Sequence, residues 1–354
     1  MFLKTPAVLL RTYPHIVKIG FCCKLVKSPA ANNNKVLFEN VEEANFKTTT
    51  VKWITDNRSQ ASEKLLSIVK HNLQATRCLV SVVSRLPENQ RMVRLGSDLL
   101  PLYTHAAAHD FYSDTTVRTL IERQLACVGE IARNNSVRLS FHPGQFCCIV
   151  SENPNIVESS IQELEYHATM ASMMGYAKSK LDFKINVHLS GKLGSAGFLT
   201  AWNKMSPEAR SCLTIENDEF QGSIEQVLEV SKWAGIVLDI HHHFIRTGEY
   251  ISACDERIQR VIESWQGVRP VIHYSQSPEE YISQVSTNDM PALETLLKLA
   301  PKAKLRAHSN FYPNKKINAW ALTHLQWADI QAEAKAKNLA SDQLIQQLCL
   351  TLPA

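Results

Sequence analysis

Seven times between residues 16 and 276, a short run rich in β-branched and other apolar residues gives way to a break and then to a longer stretch with helical spacing. The runs are IVKIGFCC (16–23), MVRLGSD (92–98), VRLSFHPG (137–144), FKINVHLSG (183–191), CLTIEND (212–218), GIVLDIHHH (235–243) and PVIHYSQ (270–276). Alternation of this kind builds βα units, and such units build a parallel sheet covered by helices. The stretch from Pro154 to Met174 illustrates the helical half. Val157, Ile161, Leu164 and Ala168 share one face, Asn-Pro-Asn opens the segment, and Gly175 offers a left-handed end. An open, doubly wound sheet usually carries a glycine-rich phosphate loop after its first strand, and none of the 12 glycines builds one. The fold class expected is therefore α/β, a single (β/α)8 TIM barrel. Its eighth strand has two candidates, AKLRAHSN (303–310) and WADIQAEA (327–334), and periodicity does not choose between them.

Length agrees with one barrel plus insertions, since 354 residues exceed the roughly 250 typical of that fold. One domain is expected over 1–354, with the barrel at about 16–340, an N-terminal extension at 1–15 and a C-terminal helix or tail at 341–354. With 45% of residues hydrophobic and 20% charged, the chain can fill a large core, which excludes a disordered or collagen-like polymer. No apolar run approaches the roughly 20 residues that cross a bilayer. The start, MFLKTPAVLLRTYPH, has too short an apolar stretch for a secretory leader. The nine cysteines include the vicinal pairs Cys22/Cys23 and Cys147/Cys148 and form no CxxC motif. A reduced, cytoplasmic compartment suits them better than a disulfide framework or a thiolate zinc site.

Ligand-type residues fall in phase with the strands. His142 lies near the end of the third run, His188 of the fourth, Glu216 of the fifth, Asp239 and His242 of the sixth, and His273 lies in the seventh. Every strand of such a barrel ends on one face, so these six side chains are expected to meet in one pocket. His105, His308 and Glu333 are placed to join them. So many imidazoles and carboxylates packed together carry a heavy desolvation cost unless cations pair them. Mixed nitrogen and oxygen donors suit zinc, manganese or iron, and nine candidates exceed the needs of one ion. A cluster of two or three divalent metal ions at the C-terminal face of the strands is the expectation. In the triplet 241–243, the i, i+3 spacing pairs Asp239 with His242, leaving His241 and His243 to support or packing.

Net charge is only +4, but its distribution is uneven. Residues 1–37 carry Lys4, Arg11, Lys18, Lys24, Lys27 and Lys35 without a carboxylate, and residues 298–316 carry Lys298, Lys302, Lys304, Arg306, Lys315 and Lys316 likewise. Basic stretches beside a metal cluster fit hydrolysis of a phosphodiester. A metal-dependent sugar isomerase would use similar strand-end ligands with fewer basic residues.

At HPGQF (142–146), IENDE (215–219), LDIHHH (238–243), IHYSQS (272–277), RAHSN (306–310) and AEAKAKN (332–338), the chain resembles the UV damage endonuclease family. SDLLPLYTH (97–105) and ELEYHATMASMMG (163–175) resemble it too, so the likeness spans roughly 17–340. It is more distantly similar to the endonuclease IV class of apurinic-site nucleases. The resemblance implies a barrel that binds damaged double-stranded DNA and cuts immediately 5′ to a photoproduct, leaving 3′-hydroxyl and 5′-phosphate ends, with Mn2+ as the expected metal. It implies His105, His142, His188, Glu216, Asp239, His242, His273, His308 and Glu333 as ligands, with Glu216 bridging. Glu216, Glu333, His142 and Asp239 are the residues it implies for catalysis. It also makes Glu333 the end of strand eight and puts RAHSN on the connection after strand seven. Gln145 and Phe146 resemble the pair that probes the duplex, and Phe21 stands where relatives carry an aromatic that holds the lesion. A monomer and no membrane contact are expected. Two departures stand out: Val271 occupies a position where relatives often carry a lysine, and Phe146 lacks the hydroxyl of their tyrosine. A lesion-binding module without chemistry and an apurinic-site nuclease are the remaining alternatives.

Overall fold

Among the described residues, eight short parallel strands form one barrel wall. The computed structural model describes residues 16–29, 37–285 and 289–351. The strands are β1 (Ile19–Cys22), β2 (Met92–Arg94), β3 (Arg138–Phe141), β4 (Lys184–His188), β5 (Leu213–Glu216), β6 (Gly235–Val237), β7 (Val271–Tyr274) and β8 (Asp329–Ala332). Seven lie inside the runs read from the sequence, and β8 lies in the 327–334 segment. The rival segment contributes the end of a short helix, Lys302–Leu305, and the turn that carries His308. The proposed extension at 1–15, residues 30–36 of the polar loop, residues 286–288 and the tail at 352–354 lie outside the described residues.

Neighbouring strands follow the order β6-β5-β4-β3-β2-β1-β8-β7. The seam between β6 and β7 is closed by a parallel bridge from Asp239 to His273, with the His273 amide donating to the Leu238 carbonyl at 3.0 Å. Every residue of β5, β7 and β8 is buried. That is why these strands read as continuous rather than alternating patterns, for a parallel barrel has no face open to water. Gly20 is needed where β1 meets β2, because an added Cβ would collide with the Met92 carbonyl oxygen.

Helices cover the wall. α1 (Arg58–Ser84) and α2 (Thr115–Asn134) pack on each other, α1 burying Leu65, Val69, Leu73, Leu79 and Val83. α3 (Pro154–Met173) begins with the Asn153 side chain accepting from the Asn155 amide and is followed by Gly175 at φ 84°, as its capping residues predict. No helix of the described residues is long and apolar enough to cross a membrane.

The strand N-termini are plugged by charge. Asp329, at the start of β8, takes Arg138 at 2.7 Å, Arg269 at 2.8 Å and the Lys18 amide at 2.9 Å. Breaking one member of such a buried set costs about 3–5 kcal/mol. This end is thus scaffold, and the opposite end is open for chemistry.

Candidate metal centre

The C-terminal ends of the strands converge on Glu216. His188 pairs directly with it in the β4–β5 register, and His142 stands just beyond the end of β3. Glu216 is fully buried, with His273 Nδ1 2.9 Å from Oε1 and His142 Nε2 3.2 Å from Oε2. His188 Nε2 and His242 Nδ1 each lie 3.8 Å from its oxygens, and Asn186 donates to Oε2. Glu333, immediately after β8, lies 3.4 Å from His273 Nδ1 and is paired with the Arg94 guanidinium.

Local chain geometry aims these groups. Asp239 is the N-cap of α4 (Ile240–Thr247): its Oδ1 accepts from the amides of His241 and His242 at 2.8 and 2.7 Å. One carboxylate oxygen starts the helix and the other, Oδ2, faces His242 Nδ1 at 3.6 Å. His142 donates Nδ1–H to the Pro143 carbonyl at 2.9 Å and His308 donates Nδ1–H to the Glu333 carbonyl at 2.7 Å. Each bond fixes a tautomer whose Nε2 lone pair is free to bind a cation.

Three sets of donor atoms lie within 4.8 Å of one another: His142–Glu216–His273, His188–Glu216–His242 and Asp239–His273–Glu333. Glu216 belongs to two of them and His273 to two. Asp239 Oδ2 and His188 Nδ1 are buried without a hydrogen-bond partner. Buried polar atoms are rarely left so, and the mixed nitrogen and oxygen set fits divalent cations. These residues could hold metal ions.

The electrostatics point the same way. Burial works to raise the Glu216 carboxyl, but His273 and His188 hold it well below the usual range. Burial opposes the charged form of His242, yet Asp239, Glu216, Glu219 and Glu333 push it up to about 9. Burial, aided by the charges of Glu216 and Glu333, drives Asp239 well up. Left to protein groups alone, the pocket has to share protons among crowded carboxylates, which is the setting that bound cations relieve.

Eight of the nine residues expected as ligands are brought to this end, seven of them in the three sets and His308 on the Glu333 carbonyl. His105 is not brought in. It is exposed, and its Nδ1 accepts from the Ala107 amide at 3.0 Å as the cap of a short turn of helix. His243 bonds Glu249 at 2.8 Å, and His241 is buried with its ring 6.4 Å from that of His308. Gln145 and Phe146 are exposed on the loop after β3, Phe146 to 84%. Phe21 departs from expectation, because it is buried in the core. Alternation along β1 is the reason: Cys22 Sγ faces Glu333, 3.8 Å away, so Phe21 must face the other way, into the core behind the barrel wall.

Sequence reasoning passed over three polar neighbours. Lys184, at the start of β4, is buried with Nζ 2.8 Å from His273 Nε2, and burial pushes its amine down to about 7. Arg94 anchors Glu333, and Glu219 lies 3.8 Å from His242 Nε2. Only their closeness in sequence to the strand ends could have singled them out. Val271 packs with Val237, Met92 and Trp265 in an apolar layer.

Comparison with known proteins agrees with this architecture. The model of the family described as UV-endonuclease UvdE matches residues 28–351. The UV DNA damage endonuclease of Clostridium perfringens (strain 13 / Type A) is 27% identical over 271 residues, 73% of this chain and 58% of that protein. The chain thus spans little more than half the length of that relative. The UV DNA damage endonuclease of Bacillus cereus (strain B4264) is 25% identical over 305 residues, covering 82% and 85% of the two chains. The crystal structure of SacUVDE superposes with a TM-score of 0.69 at 22% identity, over 94% of this chain and 98% of that one. Endonuclease IV from Thermus thermophilus gives 0.50 at 12% identity, over 78% and 93%. Both share the fold.

Proposed function

The chain belongs to the UV-endonuclease UvdE family, and on that premise we propose that it is a metal-dependent endodeoxyribonuclease that nicks duplex DNA immediately 5′ to UV photoproducts, leaving 3′-hydroxyl and 5′-phosphate ends. The observation that carries the reading is the meeting of His142, His188, His242 and His273 around the buried Glu216 carboxylate, with Asp239 and Glu333 beside them.

These residues would hold two or three divalent ions, manganese in this reading, which would supply Lewis acidity by lowering the pKa of a bound water and neutralising charge on phosphate oxygens. The protein's own groups do the rest. Glu216 would be the carboxylate shared by two groups of ligands, because it belongs both to the His142–His273 set and to the His188–His242 set. Asp239 and Glu333 present carboxylate oxygens whose orientation is held by the α4 N-terminus and by Arg94. His142 is fixed in one tautomer by the Pro143 carbonyl, so its Nε2 stays turned to the cluster. Gln145 and Phe146, exposed on the adjoining loop, wedge into the duplex, where a ring can replace lost stacking and an amide can bond an orphaned base. The partner is damaged double-stranded DNA.

The test is incubation of the full chain with manganese and an end-labelled duplex carrying one photoproduct, beside an intact duplex and one with an apurinic site. Nicking 5′ to the photoproduct, abolished by chelator, is expected. Cleavage at the apurinic site alone would assign the protein to the second reading, an apurinic-site nuclease, which the same donor sets could serve. Turnover of free aldoses without DNA cleavage would assign it to sugar isomerisation.

A further inference from the structure

A cavity of about 250 Å3 opens over the metal centre, and Gln145 and Arg306 both line it, together with His142, His188, His242 and Glu219. Arg306 is held on two sides although it is half-exposed. Its guanidinium bonds Glu219 Oε1 at 2.5 Å and lies 5.1 Å over the ring of Phe220. Glu219 is buried and also faces His242, so this support is anchored in the metal centre itself.

Phe220 is held out in water. It is 51% exposed, and the turn that carries it is tightly bonded. Asp218 accepts from the amides of Phe220 and Gln221 at 2.6 and 2.8 Å and from Ser190 Oγ at 3.0 Å, while its own amide donates to the Gly222 carbonyl at 2.6 Å. These bonds fix the turn that carries Phe220, and its ring lies under the Arg306 guanidinium, which itself lines the cavity.

The charge of Arg306 is already met by Glu219, so a phosphate gains little there. What Arg306 still offers is a planar, weakly hydrated face backed by an aromatic ring, which suits a nucleobase. We propose that Arg306, supported by Phe220 and Glu219, is a stacking surface for one unstacked nucleobase of the damaged strand, on the rim of the cavity shared with Gln145. Phe220 and Glu219 act as positioning residues. The inference rests on the function proposed above and adds to it a second stacking surface, distinct from the loop that carries Phe146.

The experiment compares wild type, Arg306→Lys, Phe220→Ala and Phe220→Tyr by fluorescence anisotropy on a photoproduct duplex and an intact duplex, in EDTA so that no strand is cut. Thermal melts verify folding, and nicking with manganese is measured in parallel. Arg306→Lys keeps the charge and loses the plane, so affinity for the photoproduct duplex falls about 5- to 100-fold with the intact duplex changed less than about twofold. Phe220→Ala behaves likewise and Phe220→Tyr restores binding. Wild-type affinity in Arg306→Lys, or equal weakening on both duplexes, overturns the stacking role. A wild-type protein that neither prefers nor nicks the photoproduct duplex overturns the proposed function and this inference with it.

Discussion

Lys184 Nζ stands 2.8 Å from His273 Nε2, across the barrel from β4 to β7, while His273 Nδ1 faces Glu216 and Glu333. One ring nitrogen is thus held by an amine and the other turned to the carboxylates. The residue two positions before His273 on the same strand is Val271, packed in an apolar layer. In this chain the amine beside His273 comes from another strand.

The Lys184 amine, which burial pushes down to about 7, holds the His273 ring at Nε2 and so keeps Nδ1 turned to the Glu216 and Glu333 carboxylates. Lys184→Met therefore weakens divalent-metal binding by about 10- to 100-fold, the usual effect of removing a partner that orients a ligand histidine. Isothermal titration with manganese checks it, and unchanged affinity would show that the ring is held by packing alone.

Glu216→Gln keeps the shape of the side chain and removes the charge shared by two donor sets. Nicking falls by at least about a hundredfold and metal affinity drops with it. Metal content by mass spectrometry together with a nicking assay reads both. Wild-type nicking in this variant would overturn the central place given to Glu216.

Replacing Gln145 and Phe146 together with Ala touches no residue of the three donor sets. Metal affinity stays within about twofold, while preference for a photoproduct duplex over an intact one falls by roughly tenfold or more, the scale of one lost base stack. Competition binding measures the ratio. An unchanged ratio would make the loop structural.

His324 lies between Trp320 and Trp327, ring centroids 5.5 and 5.8 Å away, and burial pushes its imidazole down to about 4. An unfolded chain takes up that proton near pH 6.5 while the folded one resists it. Stability is therefore lost as pH falls from 6.5 toward 4, and the residue has no such effect above that window. From the fall to about 4, His324→Phe should gain roughly 3 kcal/mol relative to wild type between pH 7 and 4. Denaturant melts across that range test it, and parallel curves would refute the assignment.

Periodicity carries only what is local. Strand runs, the caps at Asn153 and Gly175, and the phase of His142, His188, Glu216, Asp239, His242 and His273 depend on neighbours in the chain and on one rule, that parallel strands end on one face. Those features were legible without coordinates, and the choice of β8 was legible through resemblance.

The rest depends on contacts between distant segments. Whether Phe21 faced the site or the core turned on one residue of register, since alternate side chains of β1 face opposite ways. His105 is spent on capping its own turn, a local bond that competes with a distant one. Lys184 meets His273, Arg94 meets Glu333 and Arg306 lies on Phe220 only because closing the barrel brings together residues 89, 239 and 86 positions apart in sequence. The sequence by itself determined a barrel with ligand-bearing strand ends. The tertiary structure alone decided which buried groups hold those ligands, because that depends on which side chains the closed barrel forces into one small volume.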